Sequence, residues 1–270
     1  MTQNILTRNN VKTLGTGTQP MVFAHGFGCD QNMWRYVYPA FQDDYNIVLF
    51  DYVGHGKSDR QAYNKERYSN LNGYADDLLE IIHSLQLKDV VLVAHSVSSM
   101  IGLLAAVKEP ELFSNIIFVG PSPRYINDEG YLGGFEKKDI EELLDTMDKN
   151  YIGWANFLGP AIMKNGDRPE LAEELTESFC STDPVVARNF AEATFFSDNR
   201  HDLPKLRVPS LIMQCSDDLI APLEVGEYLH KNIPNSSLRV MKATGHCPHM
   251  SAPEETISII KEYLQGIHLN

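Results

Sequence analysis

A serine set between an apolar run and a helix-period stretch, in Val91-Leu92-Val93-Ala94-His95-Ser96-Val97-Ser98, is the strongest chemical signal in this sequence. A buried strand leading straight into a helix puts that serine on the turn between them. A sharp turn projects its hydroxyl clear of a sheet, and the free N–H groups of the next helix converge on the same spot. There it can act as a nucleophile if a base takes its proton, whereas the bland alternative is a helix-capping serine. The base is expected from Thr244-Gly245-His246-Cys247-Pro248-His249: His246 takes the proton and returns it to the leaving group, with His249 packing or hydrogen-bonding behind it. An orienting carboxylate is expected from Gln214-Cys215-Ser216-Asp217-Asp218-Leu219-Ile220-Ala221-Pro222. The four-residue step to Pro222 favours Asp218 and leaves Asp217 as a solvated neighbour. His95 adjoins the serine, but its side chain is expected to point away. His83, His201, His230 and His268 read as solvated or structural.

Each of these groups lies just past a short apolar run. The runs are Met21–Ala24, Ile47–Phe50, Val90–Val93, Ile116–Val119, Ser210–Met213 and Leu238–Met241. Most are too apolar to alternate, as expected of strands buried on both faces. Helix-period stretches at 71–85, 97–108, 224–232 and 255–264 separate or follow them, which predicts a mainly parallel sheet with helices on both faces. Between roughly Pro121 and His201 the alternation stops and only helical patterns remain, at 138–150, 169–178 and 184–195. Gly133-Gly134, Gly159-Pro160 and Pro169 punctuate this stretch. It reads as a helical insertion closing over the strand ends, with a core of residues 1–121 and 199–270 and a cap of residues 122–198.

The chain order Ser, Asp, His is that of α/β-hydrolases and of neither large serine-protease fold. The expected class is therefore an α/β-hydrolase fold with an inserted helical cap. In that fold the loop after the first long strand, here His25-Gly26-Phe27-Gly28, supplies one backbone N–H of an oxyanion hole, and the residue after the nucleophile supplies the other. These would be Phe27 and Val97, two fixed donors for the charge that develops on a carbonyl oxygen. The usual Gly-x-Ser-x-Gly pattern is broken at both ends by Ala94 and Ser98, which are still small enough for strand and helix to approach.

Longer stretches extend the resemblance. His25–Gln31, Phe50–Asp59, His95–Ser98, Gly120–Tyr125, Phe179–Pro184, Phe195–Asp198 and Gly245–Ser251 look like the RsbQ group, bacterial hydrolases of an energy-stress pathway that are similar to plant karrikin and strigolactone receptors. The resemblance runs from about Ile5 to the last helix, with Ala94 standing where the group has Gly. It implies a four-helix V-shaped cap over a deep apolar pocket, a Ser-His-Asp triad, and a slow hydrolase that doubles as a signalling component. The implied ligand is a small apolar ester, lactone or butenolide, and the implied partner a PAS-domain serine phosphatase similar to RsbP. Pocket lining is expected from Tyr125, Phe135, Trp154, Leu158, Phe195 and Phe196, since such pockets are walled mainly by apolar side chains. A ligand sensor with little turnover needs the same residues, so the sequence leaves enzyme and receptor open. Dehalogenases and epoxide hydrolases, with Asp at the nucleophile position, are excluded by Ser96; cofactor-free peroxidases and carbon–carbon hydrolases stay open.

Composition is consistent with this reading. The 36 Asp and Glu against 23 Lys and Arg leave a net charge of −13, which disfavours non-specific binding to nucleic acid or to an anionic membrane surface. No window has the roughly 18 consecutive apolar residues of a membrane span, and the N-terminus lacks a signal-peptide core. Cys29, Cys180, Cys215 and Cys247 are scattered without metal-ligand or redox spacing. The expectation is a cytoplasmic protein without metal or cofactor.

Overall fold

Six of seven strands in the computed structural model, which describes residues 4–268, fall on the apolar runs of the sequence. In chain order they are β1 (Lys12–Leu14), β2 (Gln19–Ala24), β3 (Tyr45–Leu49), β4 (Val90–His95), β5 (Phe113–Val119), β6 (Ser210–Asp217) and β7 (Ser236–Thr244). They lie in the spatial order β1-β3-β2-β4-β5-β6-β7, parallel throughout except for β1 against β3. The strand without an apolar run is β1, whose three residues are all exposed on the sheet edge, so nothing in its composition marks it.

Side chains of the central strands alternate between two apolar layers. Val22, Ala24, Leu92 and Ala94 enter one layer, and Met21, Phe23, Val91 and Val93 the other. Burial on both faces explains why these strands are apolar at nearly every position. The helices are α1 (Ile5–Arg8), α2 (Leu71–Ser84), α3 (Val97–Lys108), α4 (Lys137–Lys149), α5 (Tyr151–Met163), α6 (Pro169–Ser181), α7 (Pro184–Phe195), α8 (Leu223–Asn232), α9 (Pro248–Ser251) and α10 (Pro253–His268). Helices α2, α3 and α8 cover the first layer, and α10 with the 3-10 turns at 31–34 and 38–41 covers the second. None of the described helices is long and apolar enough to cross a membrane.

Four helices, α4–α7, lie between β5 and β6 and build a third apolar cluster with residues from the strand ends. The sequence patterns mark three of them. Helix α5 went unmarked because Gly159-Pro160 reads as a break; both instead lie inside the helix. Gly159 is where α5 meets α6, and a Cβ there would strike the Thr176 hydroxyl.

Candidate active site

Sheet topology brings the chemistry together. Going along the sheet, β3 lies on one side of β2 and β4 on the other, and ligands of open α/β sheets bind beyond the strand ends at such a reversal. Ala24 pairs with Ala94, so the loop after β2 and the turn after β4 emerge side by side. Ser96 stands on that turn at φ 57° and ψ −122°, outside the ordinary regions for a residue with a Cβ. Strand and helix approach closely at Gly102, where a Cβ would run into Leu92 and would lie 3.9 Å from the Ala94 methyl. Ser98 adds a tie that a glycine could not make. Its hydroxyl donates to the His25 carbonyl and accepts from Tyr52 Oη at 2.7 Å.

His246 sits between the two groups expected to flank it. Its Nδ1 lies 2.7 Å from Asp218 Oδ2 and its Nε2 lies 2.6 Å from Ser96 Oγ. A carboxylate can only accept, which puts the neutral ring's proton on Nδ1 and leaves Nε2 to accept from the serine hydroxyl. Asp218 is buried, and its other oxygen accepts from the amides of Ile220 at 2.8 Å and Ala221 at 3.2 Å. Asp217 is elsewhere: it is exposed and pairs with Lys164 at 2.5 Å. The loop before His246 is held by backbone, with its own amide donating to Ile162 O at 2.9 Å and Gly245 N to Asp217 O at 2.7 Å.

Further histidines stand around this centre, all buried. His25 donates from Nδ1 to Gly26 O and accepts at Nε2 from the Tyr52 amide. His95, contrary to expectation, turns toward the His246 loop and donates from Nε2 to the His246 carbonyl at 2.7 Å. His249 packs behind, its ring centroid 4.3 Å from that of His95 and 4.6 Å from Trp34. Burial lowers the pKa of His25 and drives that of His95 well down. Burial also pushes His55 and His249 down to about 3. His83, His201 and His230 are exposed, paired with Glu109, Asp202 and Ser236, and the side chain of His268 lies outside the described residues.

Above Ser96 is a cavity of about 30 Å³. Of the residues named from the sequence, Tyr125, Leu158 and Phe195 line it, and Phe135, Trp154 and Phe196 do not. Trp154 is one layer back, stacked on Phe179 and Tyr151. Phe135 backs Phe195 at 6.3 Å, and Phe196 opens onto a separate groove beside Leu71 and Asp202. The wall is completed by residues the sequence did not mark as lining, among them Cys29, Ile162, Leu175, Phe179, Ile220 and Cys247, together with the side chain of Phe27. Cys29 and Cys247 flank the two histidine motifs, and Leu175 and Phe179 share a face of α6 at helical spacing, signals that look the same for ordinary core. Burial raises both thiol pKa values, so these cysteines act as neutral wall groups. The amides of Phe27 and Val97 have no acceptor among the described residues. Nor do the described residues contain a group of three or more His, Cys, Asp or Glu arranged to hold a metal ion.

Comparison with known proteins agrees with this architecture. The model of the alpha/beta hydrolase family matches residues 21–259. A karrikin insensitive 2 receptor of Petunia hybrida is 40% identical over 95% of both chains. A strigolactone esterase of Arabidopsis thaliana is 37% identical over 97% of this chain and 98% of its own. Among solved structures, a hydrolase from Oleispira antarctica superimposes with a TM-score of 0.95 at 45% identity, covering 97% of this chain and 96% of that one.

Proposed function

The chain belongs to the alpha/beta hydrolase family, and from that premise we propose that it is a serine hydrolase cleaving a small apolar ester or lactone through an acyl-enzyme. One observation carries the reading: a single imidazole bridges Ser96 Oγ and Asp218 Oδ2 at the floor of an apolar cavity. His246 Nε2 takes the hydroxyl proton as Oγ bonds to the substrate carbonyl carbon. The carbonyl oxygen gains the negative charge, and the amides of Phe27 and Val97 receive it. Collapse breaks the ester C–O bond, and the leaving alkoxide takes the proton from Nε2. Water, deprotonated at the same nitrogen, then releases the acid and restores Ser96. Asp218 holds the ring and supports its charged form throughout.

Residues 122–198 would serve as a cap on the core formed by 1–121 and 199–270. Support comes from Leu158, Ile162, Leu175, Phe179 and Phe195, with which α5–α7 wall the cavity. The cavity is far below the roughly 300–1,000 Å³ of ordinary ligand pockets, so the wall must give for any but the smallest substrate.

A second reading is favoured by the relatives named as receptors at about 40% identity. On it the protein resembles the RsbQ group, traps a butenolide-like ligand with little turnover in the cytoplasm, and then engages a PAS-domain phosphatase similar to RsbP. The test is intact mass after treatment with a fluorophosphonate, for wild type and Ser96→Ala, alongside turnover of a p-nitrophenyl ester. Labelling confined to wild type with sustained turnover is the expected result. Labelling without sustained turnover moves the assignment to the receptor reading, and turnover retained in Ser96→Ala overturns both.

A further inference from the structure

The peptide that carries His246 is gripped from two sides. Its N–H donates to Ile162 O at the end of α5, and its carbonyl accepts from His95 Nε2. His95 is the last residue of β4, immediately before Ser96, so the strand that delivers the nucleophile also holds the backbone of the base facing it. We propose that His95 is a positioning residue, whose N–H to the His246 carbonyl keeps the imidazole of His246 in register between Asp218 and Ser96. The inference rests on the hydrolase reading above and assigns one more residue to that reaction.

The surroundings of His95 argue against a packing role alone. Its ring is buried, and Nδ1 has no hydrogen-bond partner among the described residues. An apolar ring would fill the same space without burying an unpaired nitrogen, but it would leave the His246 carbonyl without the donor it has from His95. Local violations of this kind point to a bond needed elsewhere, and the bond His95 makes is to His246. Space for the ring is kept by Gly26, where a Cβ would run into His95 Nδ1. This gives the glycine of the His25-Gly26 pair a role distinct from its turn.

The groups facing His95 are His246 at 5.0 Å and His249 at 4.3 Å between ring centroids, Trp34 at 6.5 Å, and His25 at the end of β2. Burial and the neighbouring histidines hold His95 neutral. A neutral imidazole that donates from Nε2 can brace the loop without setting a second positive charge beside His246 when that ring takes the serine proton.

The test measures kcat and KM for a p-nitrophenyl ester, together with Tm, in wild type, Ser96→Ala, His95→Phe and His95→Gln. His95→Phe keeps the bulk and loses the donor; the amide of His95→Gln can reach where Nε2 was. Misplacement of a catalytic group by about 1 Å can cost on the order of 100-fold in rate. The expected result is therefore a kcat at least about tenfold lower in His95→Phe, with KM within about twofold, and recovery to within about threefold of wild type in His95→Gln. Tm is compared across the same variants, and a loss of kcat in His95→Phe out of proportion to any loss of Tm separates positioning from unfolding. Wild-type kcat in His95→Phe, or equal losses in both variants, overturns the proposal while a dead Ser96→Ala leaves the hydrolase reading standing. Turnover in Ser96→Ala would instead mean that the hydrolase reading itself had failed. Should His95→Phe not fold, His95→Asn replaces it, since its shorter amide cannot reach the carbonyl. A slow Asn variant beside a fast Gln variant supports the proposal, and equal rates overturn it.

Discussion

Two adjacent aspartates illustrate how much one residue step decides. Asp218 is buried against His246 and braced by two amides, while Asp217 reaches solvent and Lys164. Asp218→Asn should therefore cost kcat on the order of 10,000-fold, because an amide can no longer fix the Nδ1–H tautomer or support the imidazolium. Asp217→Asn should stay within about threefold of wild type, since an exposed ion pair is worth little. Steady-state kinetics of the two variants decide the matter, and reversed losses would mean that the carboxylate had been misassigned. The step to Pro222 separated these two residues in the sequence. The same kind of reading could not foresee that Ser98 would tie the helix to the His25 loop, because a hydroxyl carries no mark of its partner.

At the scale of elements, the stretch between β5 and β6 shows where pattern reading fails. Gly159-Pro160 has the composition of a break, yet Gly159 is the point of contact between α5 and α6. Replacing a mid-helix glycine by alanine ordinarily stabilises a helix by about 1 kcal/mol. Here the added methyl meets Thr176, whose hydroxyl is engaged with Ala172 O at 2.8 Å. Overpacking costs about 1–3 kcal/mol, so we expect Gly159→Ala to lower stability on balance. Urea unfolding should show a lower midpoint at unchanged slope; a raised midpoint would mean that α6 yields freely. Trp154 and Phe135 belong to this scale too. Both lie in the right segment, but the orientation of α5 for Trp154 and a bridge to Ile126 for Phe135, not composition, place them behind the cavity wall.

For the molecule as a whole, the buried histidines set the response to acid. His25, His55, His95 and His249 are 1–3% exposed, and burial lowers the pKa of each. In the unfolded chain each protonates near pH ~6.5, so below that pH the unfolded state binds more protons and stability falls. Well below it, each group contributes about 1.4 kcal/mol per pH unit, against a total stability of roughly 5–15 kcal/mol. We expect Tm to drop steeply between about pH 7 and pH 5, above the range where exposed carboxylates titrate; a flat Tm across that window would contradict the neutral assignment of these rings. The sequence by itself determined the layered α/β fold, the order of strands in the chain and the three polar groups that meet at the strand ends, because these follow from local apolar runs and the turns that end them. Tertiary structure alone decided the edge strand β1, the cavity wall, and the turn of His95 toward His246. Those depend on contacts between segments up to 151 positions apart, and such contacts leave no period in the chain.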